Sequence, residues 1–517
     1  MNLARTAAVI ALFLLLSVSM ALNALQDHGQ RYDLVINHGR VIDPETALDD
    51  VRHLGIRGGK IITVSKQPLS GRDSINAKGL VVSPGFIDLH THSPTELGQH
   101  YQLFDGVTTA LELEAGSFPV PAFAQAIEKT ALINYGTSAG YISIRLLHKN
   151  GILAADAAGE PKPINLKGWF TAAKTLFMDF NEALSATFTE AASEDDRTVM
   201  ANLLHEGLND GALGIGLPLD YISEAVDSQE LRMIFRVAAE RGAPLFVHIR
   251  RGINGDPAGL REVIALATEF GSAIHICHIS HNAMKNIDLF LNEIRAAQQQ
   301  GVDITTEVLP YNAGSALISS AVFGRDWQTI FDISYEDVEW AATGERLTQK
   351  SFNTLRKTQP TGDVIHHYLK DEWTIRALQE PGVIVVSDLL PMKSKDNFVA
   401  PHNGAFTRVL GHYSRDNKVL DLATAIRKMT LLPAQRLEHY APAFRTKGRI
   451  QVGMDADITI FDALRVKDRA SYKNPYLEAA GLAYVVIDGK RVISDGKRIP
   501  NVYAGKRITA ASSVRAR

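Results

Sequence analysis

Cysteine is nearly absent. Cys277 is the only one in 517 residues, so no disulfide can form within the chain. Charge of one sign is also lacking: 54 Lys and Arg stand against 57 Asp and Glu, a net charge of -3. That balance gives no electrostatic reason to expect nucleic acid or an anionic membrane surface as a partner. There is no internal repeat, no low-complexity tract, and no Gly-x-Gly-x-x-Gly loop after a first strand, so nothing points to a dinucleotide-binding sheet. What is present is globular: 45% hydrophobic and 21% charged residues, with length enough for one large domain and a smaller one.

The N-terminus has the order of a secretory signal. Arg5 precedes an apolar run from Ala7 to Val18, and the small residues Ser19 and Ala21 follow. Residues 1–21 are expected to be removed, since the apolar core is short against the roughly 20 residues that span a bilayer. The mature chain is then exported, periplasmic or secreted, with no stable membrane insertion; the alternative is an uncleaved N-terminal anchor. No nearby cysteine offers a site for lipid.

From Tyr32 the chain reads as short strands punctuated by Gly and Pro, and Gly448–Asp462 and the stretch from Leu482 read the same way. Neither end has enough strands for a good core. Together, residues 30–82 and 446–510 are expected to form one small β-sandwich domain that brings the termini side by side. Between them, apolar runs at Val81–Leu89, Thr108–Leu113, Ala212–Leu217, Pro244–Ile249, Ala273–Ile279, Asp303–Val308 and Gly382–Ser387 alternate with helical periodicity, as at Ser228–Arg241 and Pro257–Phe270. This α/β alternation predicts a TIM-like (β/α)8 barrel over residues 83–445.

Catalytic groups of such barrels sit at the C-terminal ends of the strands, and unusual residues recur there. Pro84-Gly-Phe-Ile-Asp-Leu-His-Thr-His92 ends in two histidines at i and i+2, which project to the same side of a strand and can reach one metal ion. Ala110-Leu-Glu-Leu-Glu114 places Glu112 and Glu114 on one face by alternation, taken as the barrel interior, where carboxylates need a cation or hydrogen bonds. Glu114, nearer the strand end, is the better ligand candidate. His248 and His281 each end an apolar strand. His275 and His278 lie near the latter and could be structural, and Cys277 reads as a small buried hydrophobe. Asp388 ends the last strand, where it could accept a proton from metal-activated water or cap the next helix.

These motifs, with Gly106-Val-Thr-Thr109, Gly211-Ala-Leu-Gly214, Pro310-Tyr-Asn-Ala-Gly-Ser315, Lys428-Met-Thr430 and Gly453-Met-Asp-Ala-Asp457, resemble the amidohydrolase superfamily, and within it the D-aminoacylase (N-acyl-D-amino-acid deacylase) family. The resemblance implies that His90 and His92 hold one metal position and His248 and His281 the other. It implies that Asp388 is the general base, then the acid toward the leaving amine. One or two divalent ions are implied; zinc suits imidazole best, and Mn, Co or Fe also fit. Where the family has a ligating cysteine near Ala115 this chain has none, so Glu114 is expected to take that place. Ala212–Leu219 holds no lysine for a carbamate bridge. The family's substrate-carboxylate contacts are depleted at Asn282-Ala283 and Leu309, leaving Arg250, Tyr311 and Ser315 as substrate contacts, with Lys285 or Lys393 as further cations. The expected activity is metal-dependent hydrolysis of the amide of N-acyl-D-amino acids or related N-acyl amines, small-molecule substrates. A second reading is a cyclic amide or dipeptide hydrolase of the dihydropyrimidinase or isoaspartyl dipeptidase kind. A third is a barrel scaffold that has lost its chemistry.

Overall fold

A computed structural model describes residues 32–153, 162–163, 185–395 and 401–510. The signal expected over residues 1–21 lies outside them. No helix among the described residues is long and apolar enough to cross a membrane.

Eight parallel strands in sequential order form the central sheet: β1 (Phe86–Asp88), β2 (Val107–Ser117), β3 (Asn134–Gly140), β4 (Ile215–Pro218), β5 (Leu245–His248), β6 (Ile274–Ile276), β7 (Ile304–Val308) and β8 (Val383–Val385). Between β8 and β1 the ring is closed just past the strand ends. Asp388 N donates to His90 O at 2.8 Å, His92 N donates to Leu389 O at 2.7 Å, and Thr91 bridges Leu389 in parallel. The closure therefore sets the first histidine pair beside the last strand's carboxylate.

The helices over Ser228–Arg241 and Ala258–Phe270 follow the periodicity of the sequence, and both end at a left-handed glycine, Gly242 and Gly271. Two features were not written in apolar runs. β3, Asn-Tyr-Gly-Thr-Ser-Ala-Gly, has a small polar composition without an apolar run, yet it is buried throughout because neighbours cover both faces. The run Val81–Leu89 is divided at Gly85: Val81–Pro84 belongs to the small sheet and only Phe86–Asp88 to the barrel. A Cβ on Gly85 would lie 2.1 Å from Thr108 Oγ1, so no other residue fits that corner.

Strands from both chain ends make one nine-stranded sheet. Tyr32–Asp43 pairs with Leu48–Arg57, Gly71–Asn76 and Val81–Pro84, and Ile458–Phe461 from the C-terminal segment joins Val81–Pro84. Leu34, Ile36, Leu54, Ile56, Val82, Ile458 and Val486 form its core. The chain beyond it returns to the barrel, where Tyr135 N donates to Lys506 O and Ile508 N to Tyr135 O. A smaller four-stranded sheet is inserted between β7 and β8 (Gly314–Leu317, Val338–Trp340, Glu345–Arg346 and Asp363–His366) and stands over the C-terminal end of the barrel.

Candidate metal centre

The strand ends converge on one buried cluster. His90 Nδ1 donates to Glu307 Oε1 at 2.6 Å, and His92 Nδ1 donates to Glu112 Oε1 at 2.8 Å. With both Nδ1 atoms turned to carboxylates, each Nε2 presents a lone pair in the neutral ring that a metal requires. Burial lowers both imidazoles, but the carboxylates around them outweigh it and hold both well above the usual histidine value. A cation, proton or metal, is therefore favoured at these nitrogens. Those two Nε2 atoms face each other at 3.1 Å. Two lone pairs held that close repel unless a cation stands between them.

The neighbouring oxygens complete the shape. Glu114 Oε2 is 3.4 Å from His90 Nε2 and 3.2 Å from His92 Nε2, and Asp388 Oδ1 is 3.3 and 3.4 Å from the same atoms. Four donors on a tetrahedron around an ion at 2.0–2.1 Å stand about 3.3 Å apart. Five of the six edges are therefore at metal-site spacing. The other oxygen, Glu114 Oε1, lies 2.8 Å from His248 Nδ1 and 3.3 Å from His278 Nε2, a second grouping able to hold an ion. One carboxylate thus offers an oxygen to each group, and the residues fit one or two divalent ions.

Burial first, then His278 and Arg251 nearby, push His248 down to about 4, leaving the neutral imidazole that a metal requires. Burial alone would raise Asp388, but positive charge on the adjoining His90 and His92 rings outweighs it and holds the carboxyl well below its ordinary range. A metal cation in place of that charge would act in the same direction. His278 and Asp388 both have left-handed backbones, φ 31° and 48°. Non-glycine residues persist there when surrounding contacts over-determine them. Here those contacts are the bond from His278 N to Glu307 Oε1 (3.2 Å) and the barrel-closing bond from Asp388 N.

Alternation is not what brings Glu114 in. Leu111 and Leu113 cluster with Ile87 of β1, Phe246 of β5, Cys277 beyond β6 and Ile384 of β8. Strands that far apart around the ring meet only inside it, so the leucines, not the glutamates, carry β2's interior face. The pairing of β2 with β3 shifts register between Glu112 and Ser117, and in that irregular stretch Glu114 reaches the cluster.

The cluster forms the floor of a cavity of about 250 Å³, with Tyr221, Arg251, His281, Ser315, His366 and His402 around it. Residues 73–493 match the profile of the amidohydrolase family. The chain belongs to that family. N-acyl-D-glutamate deacylase of Alcaligenes xylosoxydans xylosoxydans is 30% identical over 483 residues, spanning 89% of this chain and 93% of the relative. D-aminoacylase of the same organism is 28% identical over 490 residues, 90% and 96% of the two chains. The crystal structure of N-acyl-D-glutamate deacylase from Bordetella bronchiseptica, complexed with zinc and a phosphonate inhibitor, has the same fold. Its TM-score is 0.73 at 24% identity, over 93% of this chain and all of that one.

In this amidohydrolase several sequence expectations need correction. His278, not His281, joins the metal-capable group, because β6 ends at Ile276 and the left-handed turn at His278 aims its ring inward. His281 lies one helical turn on, lining the cavity with Nε2 unpartnered. Arg250 faces away: it pairs with Glu262 at 3.0 Å and donates to the carbonyls of Ser223 and Val226. Tyr311 lies behind the cavity wall, its ring stacked on His402 and its hydroxyl donating to Asp468. Lys285 and Lys393 are exposed and do not line the cavity. Ser315 does line it.

Sequence reasoning missed Glu307. Its two oxygens hold His90 Nδ1 and His275 Nε2, the latter at 2.8 Å, so it orients the first imidazole as metal sites require. A glutamate within the Ile-Thr-Thr-Glu-Val strand was the available signal, an acidic side chain in an apolar setting. Glu112 has the same role toward His92.

Proposed function

We propose that this metal-dependent hydrolase of carbon–nitrogen bonds cleaves the amide of N-acyl-D-amino acids or related N-acyl amines, with zinc as its metal. The observation that carries the reading is the tetrahedral spacing of His90, His92, Glu114 and Asp388 at the floor of an enclosed cavity. His90, His92 and Glu114 would hold one ion, and Glu114, His248 and His278 a second. The imidazole-rich donor set favours zinc. Bound, the ion supplies Lewis acidity that polarises the amide carbonyl and makes water acidic enough to attack near neutral pH.

The chain's own groups do the rest. Asp388 Oδ1 faces the histidine pair, and its side chain retains 19% exposure toward the cavity. From there the carboxylate takes a proton from the attacking water and returns it to the departing nitrogen, so that the leaving group is a neutral amine. Its orientation is fixed from behind, because Asp388 O accepts from His402 Nδ1 at 2.8 Å and Asp388 N is engaged by His90 O. The cavity walls limit bulk water around the reacting amide.

The test is a hydrolysis screen of zinc-loaded protein with N-acyl-D-amino acids, N-acyl-L-amino acids, and cyclic amides. Turnover of the D series, falling about 10²–10⁴-fold in Asp388→Asn, supports the reading. Turnover confined to cyclic amides refutes it.

A further inference from the structure

We infer that Arg251 is the residue that binds the substrate's carboxylate, making the site selective for anionic N-acyl amino acids over neutral amides. The inference rests on the deacylase reading above, but its physical basis is separate. Arg251 is the only lysine or arginine among the described residues that line the cavity. Its side chain is 8% exposed. A guanidinium so buried is costly unless an anion compensates it.

Its protein partners leave that compensation incomplete. The nearest carboxylate, Asp220, is 4.0 Å from Arg251 Nη1, beyond hydrogen-bonding reach. Both Asp220 oxygens are instead taken by Arg325, at 2.9 and 2.8 Å. Two guanidinium groups and one carboxylate leave one positive charge, and Arg251 is the member that meets the cavity. Its other contacts position it without neutralising it. The Arg251 amide donates to Asp220 Oδ1 at 2.9 Å, Nε donates to Asn282 Oδ1 at 3.3 Å, and the guanidinium lies 5.5 Å from the centre of the Phe331 ring. Held by its Nε edge, the fork keeps its Nη atoms for a planar anion.

The wall beside it is polar and underused. Ser315 Oγ, His281 Nε2 and His366 Nδ1 are buried, line the same cavity and have no hydrogen-bond partner in the protein. His366 and Phe331 are in ring contact at 5.1 Å, so this wall adjoins the ring under Arg251. With the metal-capable cluster at the floor and one fixed cation at the side, the cavity matches a molecule with an amide at one end and a carboxylate at the other. Cyclic amides without a charge have no use for that side.

The test measures binding and turnover separately, on zinc-loaded protein. N-acetyl-D-leucine and the neutral N-acetyl-D-leucinamide are titrated by calorimetry, with metal content checked in each sample. Wild type is expected to bind the carboxylate at least about thirtyfold more tightly, the scale of a hydrogen-bonded charge pair. Arg251→Met should lower carboxylate affinity by a similar factor, move the carboxamide less than about threefold, and keep its zinc. Arg251→Lys should recover part of the loss, since it keeps the charge but not the fork. Equal binding of the two ligands by wild type overturns the inference, and that measurement needs no variant to fold. Equal loss of both ligands in zinc-replete Arg251→Met, or no measurable carboxylate binding, overturns it too. Selective binding without hydrolysis of either compound would refute the deacylase reading and leave Arg251 as the anion site.

Discussion

Glu114→Gln tests the centre most directly. The replacement keeps shape and removes one charge from a carboxylate whose two oxygens lie within 3.4 Å of His90, His92, His248 and His278. Both metal-capable groups lose an anionic donor at once. Losing a partner that only orients a ligand costs about 10–100-fold in metal affinity, and losing the ligand itself costs more. At zinc a hundredfold above the wild-type dissociation constant, metal stabilises the fold by about 2.7 kcal/mol. A hundredfold weaker site under the same conditions retains about 0.4 kcal/mol, so about 2.3 kcal/mol disappears. The assay is metal analysis of the purified protein together with thermal unfolding with and without added zinc. Glu112→Gln is the comparison. It removes one hydrogen bond, to His92 Nδ1 at 2.8 Å, and should weaken zinc by about 10–100-fold without abolishing it. The reasoning is refuted if Glu114→Gln keeps full occupancy and the wild-type zinc-dependent shift. It is equally refuted if Glu112→Gln is the more damaging change.

Glu307→Gln should lower zinc affinity about 10–100-fold although Glu307 is in neither of the two groups proposed to hold the ions, because His90 Nδ1 loses its charged acceptor; chelator competition measures this. Arg250→Met should leave KM unchanged and lower stability by about 1–2 kcal/mol in denaturant unfolding, since its three contacts are all to Glu262 and two loop carbonyls; a large KM increase would return it to the substrate site. Asp363 gives a pH signature. Burial raises its carboxyl from 3.8 to about 6, so the folded state binds the extra proton between those values. The stabilisation is complete below pH 3.8 and is lost as pH rises through 6. Asp363→Asn should therefore be more stable than wild type at pH 7–8, by at most about 3 kcal/mol, with the gain vanishing near pH 4; a pH-independent difference would contradict this.

Sequence alone determined the features that depend on local pattern. Short apolar runs marked seven of the eight barrel strands, and period 3.6 over Ser228–Arg241 and Pro257–Phe270 marked the helices now seen at Ser228–Arg241 and Ala258–Phe270. Chemically unusual residues at strand ends marked His90, His92, His248, the His278–His281 stretch and Asp388, because a strand's direction puts its end where the barrel opens. Tertiary structure decided among close neighbours. Glu114 and Glu112 are separated by a register shift, and His278 and His281 by one left-handed turn. Arg251 and Arg250 are separated by which of two adjacent side chains meets the cavity and which the helix that follows. Spacing cannot rank residues one to three positions apart once the chain has left its strand, because periodicity then no longer fixes direction. The second support of the site was hidden for the same reason: Glu307 meets His90 across 217 positions, and only closure of the ring brings them to 2.6 Å.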